Sequence, residues 1–358
     1  MRQNKLRANA IARMSDTNLL LIITVVIFFL MYIAAVIFQG GGFTKPQMFF
    51  NILNSNAALI ITACGMSIVM VSGGIDISVG GVVALVSMCC AVYLDHHDGS
   101  IIGSILIALA IGLAFGLIQG FLVAYLDIQP FIVSLAGMFF ARGMTTIVNT
   151  APFNVEDPEF NALKLTRITV PGMGSYNKKG MYIPAYVEIG VVVALLIVLI
   201  LFLVLRYTRL GRSFYAIGGN KQSALMLGIN VKRTTFLAYL MCGILGGIGG
   251  FVYFMHVGSG SASHATGAEM NAIASSIIGG TMLTGGVGNI IGTFFGVLSL
   301  ALIQNIVSSV GLDQAWWTGI TNASMLCIFL IVQSIIIARR KKANLAASKP
   351  TAAKGVKT

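Results

Sequence analysis

Asp76 is the residue whose chemistry most needs a setting. It follows Ser72-Gly73-Gly74-Ile75 and stands between two apolar runs, residues 47–71 and 77–94. A carboxylate at membrane depth costs several kcal/mol unless it is paired, hydrated or held at a helix end. As the residue entering the second run, Asp76 can cap that helix and meet its dipole. The other reading puts it beside Gly73 and Gly74 on a solute path; the cap is preferred. Arg142 lies twelve residues after Pro130 inside another apolar run. There it must snorkel, pair with a carbonyl or face a hydrated cavity, and a structural tie is the preferred role. Glu269 and Asn271 open an apolar run just after the polar stretch 258–267. They either line an outer mouth or cap a helix start.

Other reactive residue types form no constellation. His256 and His264 have no partner at ligand spacing, and Cys64, Cys89, Cys90, Cys242 and Cys327 all sit in apolar stretches. No CxxC or Cys/His spacing suggests a disulfide framework or a metal site. GxxxxGK[ST], GxSxG and HExxH are all absent, so there is no visible nucleotide loop, hydrolase elbow or zinc-protease helix. Trp316 and Trp317 fit an aromatic belt at a membrane interface, with solute stacking the minor reading.

The elements that must position these residues are set by composition. Hydrophobic residues make up 57% of 358, charged residues 9%, and the mean hydropathy is +0.90. A soluble domain carries roughly a quarter charged residues, so this chain could not cover its own surface in water. Several runs reach the ~18–20 apolar residues that cross a bilayer as a helix. The expected fold is all-α, a polytopic transmembrane bundle of about ten spans with Gly-rich broken or re-entrant segments.

Net charge is +12, and its placement speaks for topology. Four cations precede residue 17, six lie within 206–233 and seven follow Ala338, with Asp16 the single acid among them. The positive-inside rule puts all three segments in the cytoplasm, where they also meet anionic lipid, and nucleic acid is not expected as a partner. Spans are placed near 18–38, 47–71, 77–94, 101–126, 130–149, 185–205, 234–256, 269–283, 290–310 and 317–338. The chain then divides into a basic tail (1–17), a membrane domain (18–338) and a second basic tail (339–358). The membrane domain carries an external loop, 150–184, and a cytoplasmic loop, 206–233. Neither loop has room for an ATPase or a catalytic domain, so the chain is expected to be non-catalytic, its energy coming from another chain or an ion gradient.

Residues 70–87 (MVSGGIDISVGGVVALVS) and 282–299 (MLTGGVGNIIGTFFGVLS) echo one another at an offset of 212. In each, Gly-Gly interrupts an apolar segment, a pointer to a transport pathway, although glycine pairs also make plain turns. Glycine recurs every fourth residue at 112, 116, 120 and at 288, 292, 296, a spacing that lets neighbouring backbones approach closely.

The cytoplasmic segment TRLGRSFYAIGGNKQSALMLGINVKR, 208–233, holds a local signal. Asn220 is a good N-cap and Gly228 a good helix stop, so 221–227 is expected as a two-turn helix. Ala224, Leu225 and Leu227 would then present apolar surface toward a soluble partner; an ordinary loop helix folded back on the bundle is the alternative.

SGGIDISVG (72–80), QPFIVSLAGMFFARG (129–143), TRLGRSFYAIGGN (208–220) and NAIASSIIGGTMLTGGVG (271–288) together resemble the ribose-type ABC importer permeases. The nearest subgroup is that for simple sugars such as galactofuranose. The resemblance implies a translocation path for a monosaccharide, and Gly73, Gly74, Asp76, Arg142, Glu269 and Asn271 are the residues expected on it. It implies coupling to a cytoplasmic ABC ATPase through Gly218, Gly219, Asn220, Ala224 and Gly228, with Arg209 and Arg212 expected beside them. It further implies a periplasmic or lipid-anchored sugar-binding protein, a second permease subunit, identical or related, and ATP held by the ATPase with no cofactor on this chain. Where that family usually has an acid in ELDAIA, this chain has Asn271, so a role needing charge there does not carry over.

Overall fold

The structure, a computed structural model, describes residues 16–40, 42–176, 181–311 and 314–347. Most of both basic tails therefore lies outside the described residues. The helices are α1 (Asp16–Gln39), α2 (Pro46–Val71), α3 (Val79–His96), α4 (Ile101–Ala124), α5 (Pro130–Val148), α6 (Pro158–Leu165), α7 (Ile189–Tyr207), α8 (Arg209–Gly219), α9 (Lys221–Met226), α10 (Val231–Val257), α11 (Ala268–Ile278), α12 (Ile290–Ser309) and α13 (Ala315–Ala347). Among the described residues, eight helices are long and apolar enough to cross a membrane: α1–α5, α7, α10 and α12. The fold is a polytopic helical membrane bundle.

Helix α2 is its centre. Proline at the first position suits the start of α2, and every residue from Ile60 to Val71 is buried among the surrounding helices. The glycine strip read in α4 does bring backbones together. A β-carbon on Gly112 or Gly243 would overlap the other's carbonyl oxygen, so α4 and α10 touch main chain to main chain. Between apolar helices in lipid such contact stabilises through dispersion rather than water exclusion. The second strip is only partly helical. Gly292 and Gly296 face the carbonyls of Gly279 and Ser275 in α11, whereas Gly288 precedes the α12 cap, Asn289.

Two expected spans change. The segment expected as a span over 269–283 is helical only as α11, 11 residues or about 16 Å at 1.5 Å per residue, too short to cross. Its apolar composition runs on through Gly279-Gly280, but Gly280 takes φ +89° and ends the helix. The span expected from 185 begins at Ile189, because 182–188 pairs as a strand. That strand, β3 (Tyr182–Glu188), runs antiparallel to β2 (Arg167–Tyr176) with a bulge between Val170 and Gly174. The described residues of the loop 150–184 are thus structured and packed against α2. Gln47 on α2 exchanges hydrogen bonds with Tyr186, and Glu188 N–H donates to Asn54 Oδ1. The two short strands β1 (Phe153–Asn154) and β4 (Ser259–Gly260) pair alongside it.

Candidate functional site

Residues 73–80 carry the chain from the contacts of α8 to the Arg142–Glu269 pair, and they begin where α2 stops. Gly73 N–H donates to Met70 O and Gly74 N–H to Val69 O, both at 2.9 Å, and Gly73 has φ +84°. This left-handed stop satisfies carbonyls that the helix end would leave free. Asp76 follows, 3% exposed. Its Oδ1 accepts from Ser78 N–H at 3.0 Å and Ser78 Oγ–H at 2.6 Å. Ser78 Oγ in turn accepts from Gln119 Nε2 at 2.6 Å, and Tyr239 Oη donates to Ile75 O at 3.1 Å. The capping expectation needs correction in detail: α3 starts at Val79, so Asp76 stands two residues before Ser78, the cap, and holds that residue rather than the first-turn amides.

The stop at the end of α11 is the same motif. Gly280 N–H donates to Ile277 O and Thr281 N–H to Ser276 O, both at 2.9 Å. The counterpart of Gly73 is therefore Gly280, and the 212-residue sequence echo pairs Gly73-Gly74 with the wrong glycines. Gly285 and Gly286 lie further on, in a loop closed by Met282 N–H to Val287 O at 3.0 Å.

Both breaks meet the segment 208–233. Gly286 N–H donates to Val71 O at 2.8 Å, and a β-carbon on Gly285 would come within 2.9 Å of Gly73 Cα. Gly218, near the end of α8, fits against both: a β-carbon there would overlap the Val71 carbonyl oxygen and crowd Gly286 N. Gly219 lies against Gly286, and Tyr215 Oη donates to Gly288 O at 2.9 Å. Phe214 and Ile217, fully buried, seat α8 in the bundle. Arg209 and Arg212 are exposed, the latter donating to Tyr207 O at 3.3 Å.

Helix α9 has the ends its sequence implies. Asn220 Oδ1 accepts from Ser223 N–H at 2.9 Å, and Gly228 turns the chain at φ +78°. Its faces differ from expectation in one residue. Ala224 is 1% exposed and packs inward, while Leu225, Met226 and Leu227 are 65%, 87% and 78% exposed.

At the far end of the connector, Gly80 in the first turn of α3 lies directly against Glu269. Arg142 Nη2 stands 3.9 Å from Glu269 Oε2. The same guanidinium donates to His264 O at 2.5 Å and Ala265 O at 2.7 Å. Arg142 thus ties α5 to the segment leading into α11. Asn271 is held by an amide relay: Gln304 Nε2 donates to Asn322 Oδ1 at 2.9 Å, and Asn322 Nδ2 to Asn271 Oδ1 at 2.8 Å. The residues read from the sequence accordingly form two groups joined by 73–80, not one cluster. Among the described residues no His/Cys/Asp/Glu group could hold a metal ion.

Residues 48–330 match the family of branched-chain amino acid transport system permease components. The chain belongs to that family. All six residues expected on the path and the whole of α8–α9 fall inside the matched region. The chain is 37% identical to the inner membrane ABC transporter permease protein YjfF of Escherichia coli (strain K12), over 82% of this chain and 85% of that one. It is 31% identical to the fructose import permease protein FruG of Bifidobacterium longum (strain NCC 2705), over 83% and 86%. It is likewise 31% identical to the ribose import permease protein RbsC of Escherichia coli (strain K12), over 80% and 85%. No solved structure matches it.

Sequence reasoning missed Gln119, Tyr239 and Tyr215. Gln119 was detectable, being the one amide in the apolar run 101–124, and a polar group at membrane depth marks a bonded site. The tyrosines carried no such signal, since each is an ordinary amphipathic side chain until its carbonyl partner is known.

Proposed function

We propose that the chain is the membrane-spanning permease subunit of an ATP-binding-cassette importer and forms the path for a monosaccharide. The observation that carries this is the construction of α8–α9: an exposed Leu-Met-Leu tip at one end and Gly218 seated against both membrane breaks at the other. A push on the tip is delivered to Val71 and Gly286 without an intervening flexible side chain. The monosaccharide comes from the relatives named for fructose and ribose import. The partners are a cytoplasmic ABC ATPase, which holds the ATP, a sugar-binding protein outside, and a second permease subunit. Localisation is the bacterial inner membrane, and the cation-rich segments support a cytoplasmic position for both termini. The alternative, a stand-alone ion-coupled carrier, finds less support, since the relatives are ABC permeases and Asp76 is bonded to Ser78.

Co-purification with the ATPase tests the reading. Met226→Asp places a charge in an apolar contact and is expected to lower ATPase retention at least about tenfold, since an unpaired buried charge costs several kcal/mol. Ion-driven sugar uptake by the chain alone in liposomes, or undiminished retention by Met226→Asp, would refute it.

A further inference from the structure

An open cavity of about 360 Å³ lies between α2, α3, α10 and the segment that leads into α11. Its polar lining comes from Ser55, Asn56 and Thr62 of α2, Tyr253 of α10, Ser263 and Thr266 of the connecting segment, and Asn271 of α11. Only Asn271 among these was expected to matter, and no ionisable carboxylate, ammonium or guanidinium lines the space.

The hydrogen bonds already made inside the protein determine what each side chain has left to offer. Asn56 Nδ2 donates to Ile52 O at 2.9 Å, which leaves its Oδ1 as an acceptor. Thr62 Oγ1 donates to Ala58 O at 3.1 Å and Leu59 O at 3.2 Å, leaving lone pairs. Thr266 Oγ1 donates to Ser263 O at 2.7 Å and is likewise left as an acceptor. Asn271 is the opposite case: its Oδ1 is taken by Asn322, so it has N–H groups to give. Tyr253 Oη accepts from Ala265 N–H at 3.4 Å and keeps its own proton free. Donors and acceptors therefore face one small space from different helices. A hydroxyl both donates and accepts, so a ring bearing several of them can satisfy such a lining where a one-sided ligand cannot.

The nearest charges are turned to other work. Arg142 donates to the carbonyls of His264 and Ala265 and stands 3.9 Å from Glu269. Glu269 lies against Gly80. A charged solute in the cavity would find no counter-ion and would lose its hydration, which is expensive. An uncharged polyol exchanges water hydrogen bonds for protein ones at little net cost.

We propose that this cavity is a binding station for an uncharged polyhydroxylated solute, a monosaccharide, within a single copy of the chain, with Asn271 and Tyr253 donating and Asn56, Thr62 and Thr266 accepting. The station rests on the importer reading above and adds to it a solute-selective element in the permease itself.

The test uses the full chain in lipid nanodiscs and saturation-transfer NMR, with D-ribose, D-fructose, D-galactose and the acid D-galacturonate as probes. Transfer to at least one neutral sugar and none to D-galacturonate is expected. Asn56→Leu and Asn271→Leu should each weaken the binding about three- to tenfold, the worth of one neutral hydrogen bond. Asn271→Asp retains the acceptor for Asn322 but exchanges the donating N–H groups for a carboxylate, so a merely structural Asn271 would leave binding unmoved, and a loss equal to that of Asn271→Leu is expected only where the sugar uses that donor. Monodisperse elution of each variant establishes that it folds. Absence of sugar transfer in the unaltered chain, undiminished binding in all three variants, or equal binding of D-galacturonate would overturn the station. ATPase retention by the same preparations separates the two ideas. Retention without sugar transfer removes the station alone, whereas failure of retention removes the importer reading.

Discussion

The two breaks in the bundle end their helices identically and leave them differently. At Gly73 and at Gly280 the backbone makes the same pair of turn-closing hydrogen bonds. From Gly73 the chain needs only Gly74, Ile75, Asp76 and Ile77 to reach the next cap, Ser78, and Asp76 to Ser78 are all buried. From Gly280 it runs to Asn289 through a loop whose Leu283 and Thr284 are exposed. A carboxylate holds the first exit. The second is held by hydroxyls: Ser67 lies 2.9 Å from Thr281 Oγ1 and accepts from Thr293 Oγ1 at 3.0 Å. A buried charge tolerates only the arrangement that satisfies it, because leaving it unpaired is costly. Hydroxyls exchange donor and acceptor roles at small cost. The first break is accordingly expected to be the stiff one and the second the yielding one, with Gly218 pressed against both.

Removing that shared contact should have the largest effect. Gly218→Ala puts a methyl into the Val71 carbonyl oxygen and the Gly286 amide, main-chain atoms that cannot rotate away. Overpacking of this kind costs about 1–3 kcal/mol. ATP-driven uptake should fall by roughly five- to 150-fold at that cost, while the protein still reaches the membrane. Normal uptake in proteoliposomes containing the assembled transporter would show that the junction transmits nothing.

Next comes the carboxylate itself. Asp76→Ala removes both bonds to Ser78 and leaves Ser78 N–H buried without a partner, a loss of about 1.5–3 kcal/mol. Asp76→Asn retains an acceptor for Ser78 and should lie about halfway between Ala and the unaltered chain, as an ordinary neutral hydrogen bond replaces a charge-assisted one. The readout is the apparent melting midpoint of the detergent-solubilised protein beside uptake. Asn behaving as badly as Ala would mean that the charge, rather than the acceptor, holds the first break.

What could be read in advance was whatever a few adjacent residues decide. Asn220 and Gly228 bracket α9 by local chemistry alone, and both ends formed as read. The facing of Ala224 did not follow, because which side of a two-turn helix is covered depends on where the bundle lies beneath it. Arg142 was legible as a tie, since a guanidinium in an apolar run must find oxygens, although the oxygens are supplied by residues 122 and 123 positions away. The length of α11 was not legible. Gly279-Gly280 is as apolar as its surroundings, and only the left-handed backbone at Gly280 marks the stop. The hairpin over 167–188 was missed because its alternation is blurred by exposed apolar residues such as Ile168, Met173 and Tyr182.

The smallest expected effect is at the second break, and it sharpens the comparison most directly. Thr293 sits in the first turn of α12, fully buried, with its hydroxyl shared between Ser67 Oγ and Asn289 O at 3.0 and 3.3 Å. Thr293→Val keeps the shape and β-branching and deletes only that hydroxyl. Ser67 retains Thr281 as a partner, and Asn289 O still accepts the Thr293 backbone N–H at 2.9 Å. No group is stranded, so the loss should be one neutral hydrogen bond, about 0.5–1.5 kcal/mol, below the loss from Asp76→Ala. Uptake should stay within about a factor of three, since the loop's path is set by the Met282–Val287 closure and the Gly286–Val71 bond, neither of which involves this side chain. The same melting assay, run on both variants in one detergent, compares them directly. A midpoint for Thr293→Val as low as that for Asp76→Ala would mean that hydroxyls hold the second break as tightly as the carboxylate holds the first, and the distinction between a stiff and a yielding break would fail.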